Sequence, residues 1–101
     1  MRLAALIILV GAAGCSQRVE HIIKIEGMNF VPATLTVNPG DMVIWQNNDL
    51  VPHTAVAAPR FDSGQIAPEA SFKVTLSQPG EIHYVCTIHP GMAGAIVVQS
   101  R

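Results

Sequence analysis

The chain reads Glu81-Ile82-His83-Tyr84-Val85-Cys86 and continues Thr87-Ile88-His89-Pro90-Gly91-Met92. The first six residues alternate in character. Successive side chains of a strand point to opposite faces, so Ile82, Tyr84 and Cys86 share one face and Glu81, His83 and Val85 the other. The apolar members place the first face inward. Cys86 therefore stands at the inner end of a core strand, where a loop carrying His89, Pro90, Gly91 and Met92 begins.

The same texture extends in both directions. Gln78-Pro79-Gly80 turns the chain into this strand, and Ala95–Gln99 reads as the closing strand. Further strands are expected at His21–Glu26, Ala33–Val37, Met42–Gln46, His53–Ala57 and Phe72–Leu76, separated by turns such as Asn38-Pro39-Gly40-Asp41. Asn47–Pro52 reads as a loop and Arg60–Pro68 as a long connection. No segment carries a helical period, so the expectation is an all-β sandwich. Asp41, Asp49 and Asp62 sit among turn residues and are expected to be solvated turn formers.

Composition narrows the class. Half of the residues are hydrophobic and the formal net charge is −1. That balance excludes a disordered chain. No basic cluster exists, so the electrostatic footprint of a nucleic-acid binder is missing. A length of 101 residues suits one small domain.

Residues 1–14 differ from the rest. Arg2 precedes the apolar run Leu3–Val10, which ends in Gly11-Ala12-Ala13-Gly14 and Cys15. This reads as an export signal, because a membrane-spanning helix takes about 20 apolar residues. Small residues before a cysteine resemble the lipobox of bacterial lipoproteins, whose cysteine is acylated. Ala12 stands where that motif usually has Leu. The expectation is a signal over 1–14, a lipid anchor at Cys15, a tether over 15–20 and a domain over 21–101. Cys15 is then committed elsewhere and no disulfide to Cys86 is expected.

Cys86-x2-His89-x2-Met92 places a thiolate, an imidazole and a thioether in one tight loop. With His53 as a second imidazole, following Pro52 at the mouth of a strand, the set is His2Cys with a weak axial Met. Such a set suits copper cycling between two oxidation states. His21 and His83 read as solvated, and Met28 and Met42 as packing residues.

Several stretches now resemble one family, the cupredoxins. They are Met28-Asn29-Phe30-Val31-Pro32, the run Val37–Asp49 containing Trp45, Pro52-His53-Thr54, Phe61-Asp62-Ser63-Gly64, and Tyr84–Met92. The similarity spans roughly residues 22–99, and the two-residue gaps on both sides of His89 resemble amicyanin rather than plastocyanin or azurin. The resemblance implies a Greek-key β-sandwich of about eight strands with one type 1 copper ion, His53, Cys86 and His89 equatorial and Met92 axial. It also implies supporting roles for Thr54, where plastocyanins tie the ligand loop to its neighbour, and for the amide of Thr87 or Ile88 on the cysteine sulfur.

The function expected is single-electron transfer, not enzymatic catalysis. The chain has four histidines, two beyond the proposed ligands, too few for a multicopper cluster. Cys-x-x-Cys-His haem attachment is absent. Electrons are expected to leave through His89 toward transient redox-protein partners. Val85 replaces the tyrosine that plastocyanin uses as a second route. The protein is expected to be an exported, lipid-anchored monomer. A copper buffer or chaperone is the competing reading, and flexible Met- or His-rich tails that would favour it are missing. A metal-free adhesive sandwich is a third.

Overall fold

Short Val-, Ile- and Thr-rich runs punctuated by turns bury one face each, and two sheets result. The computed structural model describes residues 18–100, and the export segment, Cys15 and the start of the tether lie outside the described residues. Nine strands are present among the described residues: β1 Glu20–Glu26, β2 Asn29–Val31, β3 Thr34–Val37, β4 Asp41–Asn47, β5 Val56–Ala57, β6 Phe61–Asp62, β7 Ser71–Leu76, β8 Gly80–Val85 and β9 Ala93–Val98. One sheet runs β3-β9-β8-β5-β6 and the other β2-β1-β4-β7. The β9–β3 and β1–β4 pairs are parallel and the others antiparallel.

The inward faces form one core. Ile23 and Ile25 of β1, Val43 and Trp45 of β4, Ile82 and Tyr84 of β8 and Ile96 and Val98 of β9 are buried, with Phe30 and Phe61 at its sides. Trp45 and Tyr84 cross edge to face at 5.3 Å, and Phe30 meets Tyr84 at 4.7 Å. These are favoured aromatic geometries. Burial pushes the Tyr84 hydroxyl up to about 12.

Several expectations shift. The segment expected as a strand from His53 to Ala57 pairs as one only at Val56–Ala57, and His53 makes a single bridge to Ile66. The connection over Arg60–Pro68 contains β6, and β2 was not expected at all. Strands of two or three residues carry too little alternation to stand out in sequence. Met28 is 44% exposed, so it is no core packer.

His21 and Asp41 depart most clearly from the expectation of solvated residues. Asp41 is buried, and its carboxylate accepts from the His21 ring at 2.9 Å and from the amides of Asn38 at 3.0 Å and Val19 at 3.3 Å. The clasp closes the start of β1 onto the turn before β4. The His21 ring and the Asn38 amide hold the carboxyl below its ordinary value of 3.8, against the opposing effect of burial. A depressed folded value means that the stabilisation is present above the ordinary value and lost as pH falls through the folded one. Melting temperature should therefore fall below about pH 4, and Asp41→Asn should be less stable at neutral pH with a flatter acid limb. An unchanged limb would remove Asp41 from this role.

Candidate metal centre

β4 and β8 both run toward the same end of the sandwich, and three loops meet there. The loop after β8 is closed by two backbone bonds. Cys86 N–H donates to the Met92 carbonyl at 2.9 Å, and Met92 N–H to the His89 carbonyl at 3.2 Å. Gly91 sits at φ 88°, a conformation that glycine adopts without penalty and that lets the chain reverse into β9. This reversal returns Met92 beside Cys86, and both are buried. The bridge to Ile66 brings His53 in from the other side, fully buried.

Three donor atoms converge. His53 Nδ1 lies 3.1 Å from His89 Nδ1, Cys86 Sγ lies 3.4 Å from His89 Nδ1 and 3.8 Å from His53 Nδ1. A circle through atoms at those separations has a radius of about 2.0 Å, a metal–nitrogen bond length and a few tenths short of a metal–thiolate bond. The tautomer agrees. His53 Nε2 is 2.8 Å from Asp49 Oδ2, so that nitrogen carries the proton and Nδ1 presents a lone pair. Two nitrogens and a sulfur turned toward one point fit a metal ion, and with Met92 returned beside Cys86 by the backbone the donor set fits copper.

The sulfur is prepared as an anion. Burial raises the Cys86 pKa, but the Thr54 amide, the two imidazoles and the Ile88 amide outweigh it and bring the thiol down to about 6. The geometric amide bond comes from Thr54, at 3.3 Å, rather than from Thr87. Thr87 instead donates its amide to Thr54 Oγ1 at 2.7 Å, and the two hydroxyls pair at 2.9 Å. Thr54 thus ties the ligand loop to the neighbouring segment.

Asp49 was expected to be a solvated turn former, and here its carboxylate accepts from the buried His53 ring. Its position four residues before His53 was the only signal in sequence, and a loop has no fixed geometry to read such spacing against. Asp62 keeps its expected role, accepting the Gly64 amide at 2.9 Å in an exposed turn. His83 lies on the outward face of β8, away from the site, as its alternation required. Around the site mouth stand exposed apolar side chains: Met28, Leu50, Val51 and Ile88.

Comparison with known proteins agrees with copper as the metal. Residues 17–99 match the family model of copper binding proteins, plastocyanin/azurin family. The chain is 29% identical to amicyanin-alpha of Methylorubrum extorquens, covering 87% of this chain and 84% of that one. It is 26% identical to the amicyanin of Paracoccus versutus, spanning 77% of this chain and 64% of the relative. The plastocyanin of a Synechococcus strain is 37% identical over 66% of this chain and 61% of its own. A solved structure of an oxidised amicyanin variant superposes with a TM-score of 0.74 at 29% identity, covering 87% of this chain and 89% of that one. A Cu(I) form of another amicyanin variant superposes equally well. With its cupredoxin sandwich, copper as its cofactor and His53, Cys86, His89 and Met92 as the potential type 1 site, the chain belongs to the plastocyanin/azurin family of copper-binding proteins.

Proposed function

We propose that this protein is a single-electron carrier rather than an enzyme. His53, Cys86 and His89 would hold the copper ion, with Met92 as the fourth donor. The observation that carries the reading is the convergence of three donors on a circle of about 2.0 Å radius, in a setting that favours the thiolate. Copper supplies a one-electron couple when bound. The protein's part is to keep the donors fixed in both states. Cys86 and His89 sit on a loop closed by backbone bonds, and His53 is held between Asp49 and the strand bridge.

His89 is the exit. It is partly exposed, in contrast to His53, and lies in the loop that carries exposed Ile88 and Pro90. Leu50, at 94% exposed, Met28, Val51 and Ile88 form an apolar collar suited to a brief, small encounter with a redox-protein partner. Leu50→Ser with Ile88→Ser should slow reduction by the partner by about tenfold, about 1.4 kcal/mol, and leave the copper spectrum unchanged. An unchanged rate would remove the collar from docking.

The leader and Cys15 support export and lipid anchoring at a membrane surface. The start of β1 lies at the end of the sandwich opposite the site, so a tether there leaves the collar free.

The decisive experiment uses residues 16–101. Cu(II) should generate an intense blue charge-transfer band that bleaches and recovers through repeated reduction and oxidation. Absence of the band would defeat the type 1 reading. A band with copper lost at each reduction would favour a copper buffer.

A further inference from the structure

The tip of the hairpin joining β1 to β2 is Gly27-Met28, and both residues have positive φ, 60° and 64°. Glycine adopts this freely, whereas a methionine there is strained by about 1–2 kcal/mol. The tip caps β2, an edge strand of three residues, and within the hairpin the Asn29 side chain donates to the Gly27 carbonyl at 3.0 Å. A carboxylate from another loop holds both of its amides. Gly27 N–H donates to Asp49 Oδ1 at 2.7 Å, and Met28 N–H to Asp49 Oδ2 at 3.0 Å.

The same Oδ2 accepts from His53 Nε2 at 2.8 Å. One oxygen therefore serves an exposed hairpin tip and a fully buried imidazole. The loop is built to present it. Asn47, fully buried, accepts the Asp49 amide through Oδ1 at 2.9 Å and donates through Nδ2 to the carbonyls of Val51 and Ile66, both at 2.9 Å. The Asn48 amide closes onto the Ile25 carbonyl at 2.8 Å. Met28 and Leu50, two members of the apolar collar, flank the carboxylate.

We propose that Asp49 is a positioning residue that fixes the His53 ring from behind and joins it to the exposed Gly27–Met28 tip. This rests on the copper-ligand role proposed for His53. A carboxylate on Nε2–H makes Nδ1 a stronger donor, which favours Cu(II) over Cu(I). It also makes the docking side of the collar and one ligand parts of a single hydrogen-bonded unit.

Asp49→Asn tests this in the full chain. The amide side chain keeps the size, carries no charge and has one acceptor oxygen in place of two. In the metal-free protein, hydrogen exchange at the Gly27 and Met28 amides should speed by about tenfold, and the His53 Nε2–H resonance should lose its protection. In the copper-loaded protein, Cu(II) affinity should fall about tenfold relative to Cu(I), which raises the reduction potential by about 59 mV. Asp49→Glu, which restores the charge, should recover part of both effects. Faster exchange with an unchanged potential would reduce Asp49 to a structural staple and overturn the proposal. A shifted potential with unchanged exchange at the tip would overturn the link between tip and ring. A parent chain with no blue band would defeat the copper reading itself. The metal-free measurements would still show whether tip and ring respond together.

Discussion

Cys86→Ser is expected to abolish the blue band and the stabilisation by copper in one step. Serine fits the space, but its hydroxyl stays protonated at neutral pH and offers no thiolate donor. The pocket is arranged for an anionic sulfur. The Thr54 amide and both imidazoles draw the Cys86 thiol down to about 6 despite its burial. Copper bound to the folded state alone should stabilise the parent by about 4 kcal/mol at a free concentration of 1,000 Kd. In a domain of this size, each kcal/mol moves the melting temperature by roughly 4–8 °C. The parent should therefore melt on the order of 20 °C higher with copper than without. The variant should melt at one temperature in both conditions. Calorimetry alongside visible absorption reads both effects, and a blue Cys86→Ser protein would defeat the thiolate assignment.

Gly94→Ala should be the most damaging single methyl in the fold. Gly94 lies directly across from Tyr84 in the β8–β9 pair. A Cβ there would clash with Tyr84 Cζ and Oη and stand 2.9 Å from Cε1. The ring has no room to retreat, because Phe30 packs against it at 4.7 Å and Trp45 at 5.3 Å. Overpacking of a rigid core costs about 1–3 kcal/mol, and ring contacts this short place the variant at the upper end or beyond. A drop of roughly 10–20 °C in melting temperature follows. Tyr84→Phe added to Gly94→Ala should restore only part of it, since Cζ and Cε1 remain. A Gly94→Ala protein within about 0.5 kcal/mol of the parent, by denaturant unfolding, would show that the aromatic cluster yields. The ligand loop leads into β9 just before Gly94, so the same variant should also weaken copper retention.

The two predictions bear on different layers of the sequence. Cys86, His89 and Met92 were legible because they lie in one short loop, where local spacing already dictates proximity. The alternation of Ile82, Tyr84 and Cys86 was legible because strand geometry has a fixed period. Trp45, Val43 and Ile96 reached the core for the same reason. His53 was legible only through its setting after Pro52, and the strand expected there shrank to a single bridge.

What stayed hidden depends on contacts between segments distant in the chain. Asp41 and Asp49 each follow a turn signal, and turns are usually solvated. Whether a carboxylate at a turn meets water or a buried histidine depends on which loops the two sheets stack together. Here the β1–β4 pairing brings His21 to Asp41, and the β1–β2 hairpin tip and His53 meet at Asp49. Gly94 carried no signal either, since only the register of β8 against β9 places it under the Tyr84 ring.

The sequence by itself determined an all-β chain, its inward faces and a copper-type donor set, because strand period and loop spacing are local properties. Tertiary structure alone decided that the donors meet within about 4 Å, that Thr54 rather than Thr87 gives its amide to the sulfur, and that Asp49 holds the His53 ring. Apart from the local Cys86–His89 pair, those relations join residues 4 to 36 positions apart, and strand pairing with the meeting of loops at one end of the sandwich sets their distances.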